Sequence, residues 1–120
     1  MKIVIAGAGA VGTHLSKLLS GERQDCVLID DDEERLASLA EYDVMTMQAL
    51  PTSIRALKDA GVGDCDLFVG VTPEETTNIT CCILAHALGA QKTVARIDNY
   101  EYLSQQNQQF FQKLGIDSMV

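Results

Sequence analysis

Hydrophobic and polar positions follow two spacings that take turns along the chain, and this predicts strands alternating with helices. Runs of consecutive apolar residues are typical of strands in a parallel sheet that is covered on both faces. Apolar residues three or four positions apart predict helices with one buried face. The predicted strands are 2–6, 26–29, 43–47, 66–71, 93–97 and 116–120, and the predicted helices are 11–19, 31–40, 51–60, 72–88 and 103–114.

The sequence also predicts which face of the first helix is buried and where the third helix begins. Val11, Leu15, Leu18 and Leu19 recur at helical spacing, so they are predicted to form the buried face of the first helix. Pro51 is predicted to begin the third helix, because the fixed φ angle of proline suits the first helical position. The last helix is predicted as one continuous segment.

This strict alternation predicts an α/β fold. Right-handed crossovers turn a chain of this kind into a doubly wound parallel sheet of six strands, the Rossmann fold. With 120 residues, the chain is long enough to bury a core as a single domain over residues 1–120. A ligand is expected at the carboxyl ends of the strands, where the strand order reverses.

The turn after the first predicted strand carries a G-x-G-x-x-G motif. Gly7 permits the tight turn, Gly9 lets a pyrophosphate approach the backbone, and Gly12 lets the helix pack closely. The N–H groups and the dipole at the start of that helix then face the anion. The candidate phosphate-binding residues are Gly7, Ala8, Gly9, Ala10, Val11 and Gly12.

An acidic residue, Asp30, ends the second predicted strand, where dinucleotide folds place a carboxylate that binds the ribose. A 2′-phosphate beside this carboxylate would bring two negative charges together, so NADP is disfavoured. Asp31 is included in the candidate site, although Asp31 and Asp32 are also typical of solvated charges at a helix start. The alternative is that Asp30 is only the N-cap of the helix that follows.

Two further candidates follow the fourth and fifth strands. Thr72 could line the pocket, and its alternative role is the N-cap of the next helix, although the two roles can hold together. Arg96 could contact phosphate oxygens, and its alternative role is a salt bridge to one of the many acidic residues.

Composition narrows the classes of partner. Nine Lys and Arg against 17 Asp and Glu give a net charge of −8, which repels nucleic acid and anionic lipid. No run approaches the ~18 apolar residues of a membrane span, and the first residues do not resemble a signal peptide. We therefore expect a cytoplasmic protein without direct membrane insertion. The four cysteines and two histidines lack metal-ligand spacing, so no metal site is expected, and the thiols are predicted to be buried and free.

Six segments stand in a characteristic order along the chain. They are Gly7-x-Gly9-x-x-Gly12, Val27-x-Ile29-Asp30-x-Asp32, Leu57-x-x-Ala60-Gly61-Val62, Asp66-x-x-Val69-x-Val71-Thr72, Asn78 and Val94-Ala95-Arg96-Ile97. Together they resemble the N-terminal nucleotide-binding domain of Trk-type potassium uptake regulators, also called the RCK or KTN domain. The chain differs from many members at Ala49-Leu50, where a polar pair is common, and at Thr76, where glutamate is usual.

The resemblance implies a function. Such domains are cytoplasmic, form homodimers, and assemble into rings beneath a membrane potassium transporter or channel. They bind NAD(H) or ATP/ADP, so the expected ligand is NAD(H), with ATP, ADP or AMP as open alternatives. The resemblance also implies phosphate contacts from Arg96 and the glycine loop, a ribose contact from Asp30, and adenosine contacts near Ala49, Leu50 and Thr72. The family's C-terminal ligand-binding domain is expected to be absent from this chain.

Two functions compete on this basis. The first is a regulatory sensor without enzyme activity, in which nucleotide binding biases a gate in a separate membrane subunit. The second is the cofactor-binding domain of an NAD-dependent dehydrogenase, which would need a substrate pocket and a positioned acid or base. No Tyr-x-x-x-Lys pair is present in the sequence, and the prediction is therefore the sensor.

Overall fold

The sheet has the predicted six strands, all parallel to their neighbours. The computed structural model describes residues 1–22 and 24–120. The strands are β1 (Lys2–Ala6), β2 (Asp25–Asp30), β3 (Met45–Gln48), β4 (Leu67–Gly70), β5 (Thr93–Ala95) and β6 (Ser118–Met119), in the spatial order β3-β2-β1-β4-β5-β6. The predicted Rossmann fold is confirmed.

The helices connect successive strands. They are α1 (Ala10–Ser20), α2 (Glu33–Ala37), α3 (Ile54–Asp59), α4 (Glu75–Leu88), α5 (Tyr100–Leu103) and α6 (Gln105–Lys113), with a 3₁₀ turn at Val62–Asp64. Gly89 ends α4 in the left-handed conformation at φ +118°, which glycine adopts without strain.

Both faces of the sheet are covered, as expected for a parallel sheet. Along β1 the side chains alternate: Val4 and Ala6 enter one core cluster, and Ile3 and Ile5 enter the other. The first cluster includes buried residues of α3 and α4, and the second is covered by α1 and α2. The strand order reverses between β1 and β4, so a crevice is expected at the carboxyl ends of these two strands.

The four cysteines are free and buried, as predicted. Cys81 and Cys82 of α4 are fully buried in the first core cluster. Burial raises the pKa of the Cys65 thiol to about 11. At neutral pH this thiol is therefore a small apolar group rather than a nucleophile.

The buried face of α1 differs from the prediction. Val11 and Leu18 are 49% and 56% exposed, whereas Leu15 and Leu19 pack against the second core cluster. The small residues Gly12 and Ser16 are the buried ones. The helix lies so close to the sheet that its buried stripe is set by small side chains, and the larger apolar residues are displaced to its edges.

Several helix bounds also differ from the prediction: α2 is shorter than the predicted 31–40, and α4 begins at Glu75 rather than at position 72. Pro51 lies in a turn, and α3 begins at Ile54 after the N-cap Ser53, whose hydroxyl accepts a hydrogen bond from the Ala56 N–H. The last predicted helix is divided into α5 and α6, because Ser104 adopts an extended conformation with ψ 141°.

Candidate functional site

A cleft of about 300 Å³ lies at the carboxyl ends of the strands. It is bounded by the loops that follow β2, β3 and β4, which is the edge predicted for a ligand. Four predicted site residues line it: Asp30, Asp31, Leu50 and Thr72. The remaining lining residues are Arg35, Pro51, Thr52, Pro73, Glu74 and Thr77.

The glycine loop beside the cleft has the backbone shape that its motif requires. Gly7 has φ +113°, and a Cβ there would lie 2.8 Å from the Thr72 nitrogen. A Cβ at Gly12 would overlap the Gly7 carbonyl oxygen. A Cβ at Gly9, in contrast, would meet no atom within 4 Å. Two of the glycines are therefore required by the fold, whereas the third borders open space.

The first residues of α1 continue this loop. Gly9 is the N-cap, and the helix begins at Ala10. Ala8 is buried, while Ala10 and Val11 are exposed. Because the first N–H groups of a helix have no partner within it, this end of α1 can donate hydrogen bonds to an anion.

Asp30 connects the glycine loop to the end of β2. Its side chain is buried, with the residue 4% exposed. Oδ2 accepts a hydrogen bond of 2.7 Å from the Ala8 N–H, and Oδ1 accepts one of 2.8 Å from the Asp32 N–H. The N-cap of α2 is Asp32, whose side chain accepts a hydrogen bond from the Glu34 N–H. The alternative that Asp30 is only a helix cap is therefore wrong.

Arg35 stands at the mouth of the cleft and was missed by the sequence analysis. Its Nη1 lies 3.7 Å from Asp30 Oδ2, and its Nε lies 3.6 Å from Asp32 Oδ2. Its side chain is 47% exposed, so these ion pairs are weak. The i, i+3 spacing from Asp32 was the one signal in the sequence, and it indicates only a helix-surface ion pair.

Thr72 is held in place by Asn78 of α4. The Thr72 N–H and hydroxyl donate to Asn78 Oδ1 at 2.8 and 2.7 Å, and Asn78 Nδ2 donates to the Thr72 carbonyl at 3.0 Å. The N-cap of α4 is Glu74, so the alternative role of Thr72 as that cap is wrong. The Thr72 hydroxyl does accept a weak bond of 3.3 Å from the Glu74 N–H.

Arg96 follows β5 and does not line the cleft. Its Nε lies 3.8 Å from Asp98 Oδ1, which is the salt bridge considered as its alternative role. Both side chains are largely exposed, at 43% and 65%, so the pair is weak and leaves the guanidinium able to move to another anion. Its carbonyl accepts a hydrogen bond from Asn78 Nδ2.

Ala49 and Leu50, which follow β3, have different surroundings. The Ala49 N–H donates to the Asp30 carbonyl at 3.0 Å, and its side chain packs against the first core cluster. Leu50 is 59% exposed and lines the cleft. Of this predicted pair, one residue is thus available to a ligand and the other connects the loop to β2.

The family model of the TrkA-N domain matches residues 3–120. The chain belongs to the TrkA-N domain family. It is 38% identical to the Trk system potassium uptake protein TrkA of Haemophilus influenzae, over 100% of this chain and 27% of that protein. It is 32% identical to a TrkA homolog of Methanothermobacter thermautotrophicus, over 100% of this chain and 54% of that one. The chain thus spans from about a quarter to about half of these relatives.

Solved structures share the fold of this TrkA-N domain. The TrkA-N domain of the inner membrane protein ybaL of Escherichia coli has a TM-score of 0.84 at 17% identity, covering 99% of this chain and 85% of that one. The GsuK channel bound to NAD has a TM-score of 0.80 at 16% identity, covering 99% of this chain and 21% of that one. The Kef C-terminal domain of Shewanella denitrificans, bound to AMP, has a TM-score of 0.75 at 24% identity, covering 100% of this chain and 70% of that one.

Within the part of the chain that the structure describes, no helix has both the length and the apolar character needed to span a bilayer.

Proposed function

We propose that this TrkA-N domain is a regulatory nucleotide sensor that controls a membrane potassium transporter or channel. The observation that carries the proposal is the position of Asp30 between the glycine loop and the cleft. A buried carboxylate held at this point can accept a ribose hydroxyl while the N–H groups of the loop bind phosphate.

The proposed arrangement assigns one part of the ligand to each part of the site. The phosphates would bind at residues 7–12, with Arg96 reaching them after it leaves Asp98. The ribose would bind Asp30, which has lone pairs beyond those used by Ala8 and Asp32. The adenosine would lie in the cleft near Leu50 and Thr72.

The ligand is an adenine nucleotide in this proposal. NAD(H) is proposed first, with ATP, ADP and AMP as alternatives, and NADP is disfavoured by the charge of Asp30. The NAD bound to GsuK and the AMP bound to the Kef domain support this class of ligand, since these two proteins share the fold of this chain. They do not distinguish among its members.

The sensor is favoured over the dehydrogenase by the relatives, whose names describe potassium uptake rather than oxidation. We propose that the domain lies in the cytoplasm at the inner face of the membrane, as a homodimer or larger ring bound to the transport subunit. Nucleotide binding would shift the gate if the ligand binds its two arrangements unequally, and typical coupling free energies are about 1–3 kcal/mol.

A thermal-shift panel tests the proposal. The purified chain is melted with NAD, NADH, NADP, ATP, ADP or AMP, and a ligand that binds only the folded state raises the melting temperature. We expect a rise with NAD(H) or an adenine nucleotide and none with NADP. The absence of any rise at millimolar ligand would overturn nucleotide binding. Oxidation of NADH by the domain with added small carbonyl compounds would instead favour the dehydrogenase.

A further inference from the structure

Asn78 of α4 is almost completely buried, at 1% exposure, and its side chain uses its full hydrogen-bonding capacity. Its oxygen accepts the N–H and the hydroxyl of Thr72, and its nitrogen donates to the carbonyls of Thr72 and Arg96, each at 3.0 Å. A side-chain amide offers two donors and two acceptor positions, and all four are occupied. Such a fully satisfied amide specifies one arrangement of its partners.

These bonds extend the pairing of β4 with its neighbouring strands beyond its last main-chain hydrogen bonds. The Val71 N–H donates to Ala6, and the Arg96 N–H donates to Gly70, at 2.9 and 2.8 Å. One residue further on, the main chain of Thr72 is bonded to the Asn78 side chain instead of a neighbouring strand. Asn78 therefore connects the chain after β4 to the chain after β5, which is also held by the Ile97 N–H donating to the Val120 carbonyl at 2.8 Å.

Both of these chain segments belong to the candidate site. Thr72 lines the cleft and lies against the glycine loop, where a Cβ on Gly7 would come within 2.8 Å of its nitrogen. Arg96 carries the cation assigned to the phosphates. A displacement of Asn78 would therefore move one wall of the cleft and the phosphate-binding cation together.

One turn earlier in α4, Glu75 holds the far end of the segment that follows β5. Its Oε1 accepts hydrogen bonds from the Asp98 N–H at 3.0 Å and the Asn99 N–H at 2.7 Å. The start of α4 thus fixes this segment at two points, and of these two residues it is Asn78 that also holds the loop after β4.

We propose that Asn78 is a positioning residue that aligns Thr72 with Arg96, so that nucleotide affinity depends on a side chain that does not contact the nucleotide. The inference rests on the proposed nucleotide-binding function. Adenosine binding should depend on the Thr72 contacts, and ADP binding should depend on both Thr72 and Arg96.

The test is an NMR titration of ¹⁵N-labelled chain with adenosine and with ADP, on the wild type and Asn78→Ala. Cys82→Ala is the matched control, because Cys82 is also buried in α4 and its thiol contacts the Val94 carbonyl of β5 away from the cleft. We expect Asn78→Ala to weaken ADP about tenfold or more and adenosine by less, since several buried hydrogen bonds are lost. Cys82→Ala should lower the melting temperature but leave both affinities unchanged.

Amide exchange in the ligand-free chain gives a second readout. Loss of the Oδ1 acceptor should speed exchange of the Thr72 N–H in Asn78→Ala beyond the general change seen in Cys82→Ala. If Asn78→Ala does not fold, Asn78→Asp retains the shape and the acceptor atoms but loses the two donated hydrogen bonds. This variant should keep the Thr72 N–H protected and still weaken adenosine, a ligand whose neutrality excludes charge repulsion as the cause.

The outcomes separate the two proposals. Wild-type affinities retained in the Asn78 variants would overturn the positioning role and leave the nucleotide function intact. A wild-type chain that binds neither probe would overturn the nucleotide function and, with it, the inference that rests on it. Unchanged exchange at Thr72 in Asn78→Ala would also overturn the positioning role, whatever the affinities.

Discussion

The Asp30 carboxylate and the Ala8 N–H form a buried hydrogen bond of 2.7 Å that joins the end of β2 to the glycine loop. The carboxylate that we propose binds the ribose is therefore also part of the structure that shapes the proposed phosphate site. Substitutions at Asp30 will change both stability and binding, and the two effects have to be separated by the choice of replacement.

Asp30→Ala should lower the free energy of unfolding by about 1–3 kcal/mol, because the Ala8 N–H loses its buried acceptor. Asp30→Asn keeps an oxygen that can accept this bond, so it should cost less stability. Both should weaken NAD and ADP about tenfold or more, since neither supplies a carboxylate for the ribose. Urea unfolding and calorimetric titration measure the two effects. Unchanged affinity in both variants would remove Asp30 from the binding site.

Substitutions at Gly9 and Gly12 also separate effects on stability from effects on binding. Gly9→Ala should leave stability nearly unchanged, because its Cβ would meet no atom within 4 Å and the φ angle of −74° suits alanine. Gly12→Ala should cost more than about 3 kcal/mol or prevent folding, because its Cβ would overlap the Gly7 carbonyl oxygen.

The methyl group of Gly9→Ala would occupy the space proposed for the phosphates, so ADP should bind about tenfold more weakly to this variant. Its melting temperature without ligand is the control, and it should match that of the wild type. Wild-type ADP affinity in Gly9→Ala would place the phosphates elsewhere.

Arg96→Ala should weaken ADP and ATP more than adenosine, because the guanidinium is assigned to the phosphates alone. Stability should fall by no more than about 1 kcal/mol, since the ion pair with Asp98 is exposed. Asp98→Ala is the matched control, because it removes the same ion pair and keeps the cation. Equal losses for ADP and adenosine in Arg96→Ala would mean that Arg96 is purely structural.

The raised pKa of Cys65 predicts that the folded chain loses stability at alkaline pH. Its pKa is raised by burial from 9.0 to about 11 in the folded chain. Above pH 9 the unfolded chain releases this proton while the folded chain retains it, so stability is fully present below pH 9 and falls as the pH rises towards 11. Urea unfolding at several pH values should show a smaller decline in Cys65→Ala than in the wild type. Identical slopes would contradict the assignment.

The backbone shape of the glycine loop and the position of Asp30 at the end of β2 could be predicted from sequence, because both depend on the chain next to a strand. The doubly wound parallel sheet followed from the alternation of apolar runs and helical stripes. At these positions the local sequence determines the structure.

The residues that were missed reach the site through tertiary packing. Thr77 lies within α4 and Arg35 within α2, and only the folded arrangement directs them to the cleft. Asn78 was visible as part of a motif, but its hydrogen bond to Arg96 joins a helix to a strand end that is distant in sequence. The buried face of α1 was misjudged at Leu18 because the closeness of Gly12 to the sheet, not hydrophobicity, decides which side faces inward.

The most direct measurement is a crystal structure of the chain grown with excess ADP. We expect the diphosphate to bind the main-chain N–H groups at the start of α1, and a ribose hydroxyl to bind the carboxylate of Asp30. A nucleotide bound elsewhere, or an empty cleft at saturating ADP, would contradict this expectation.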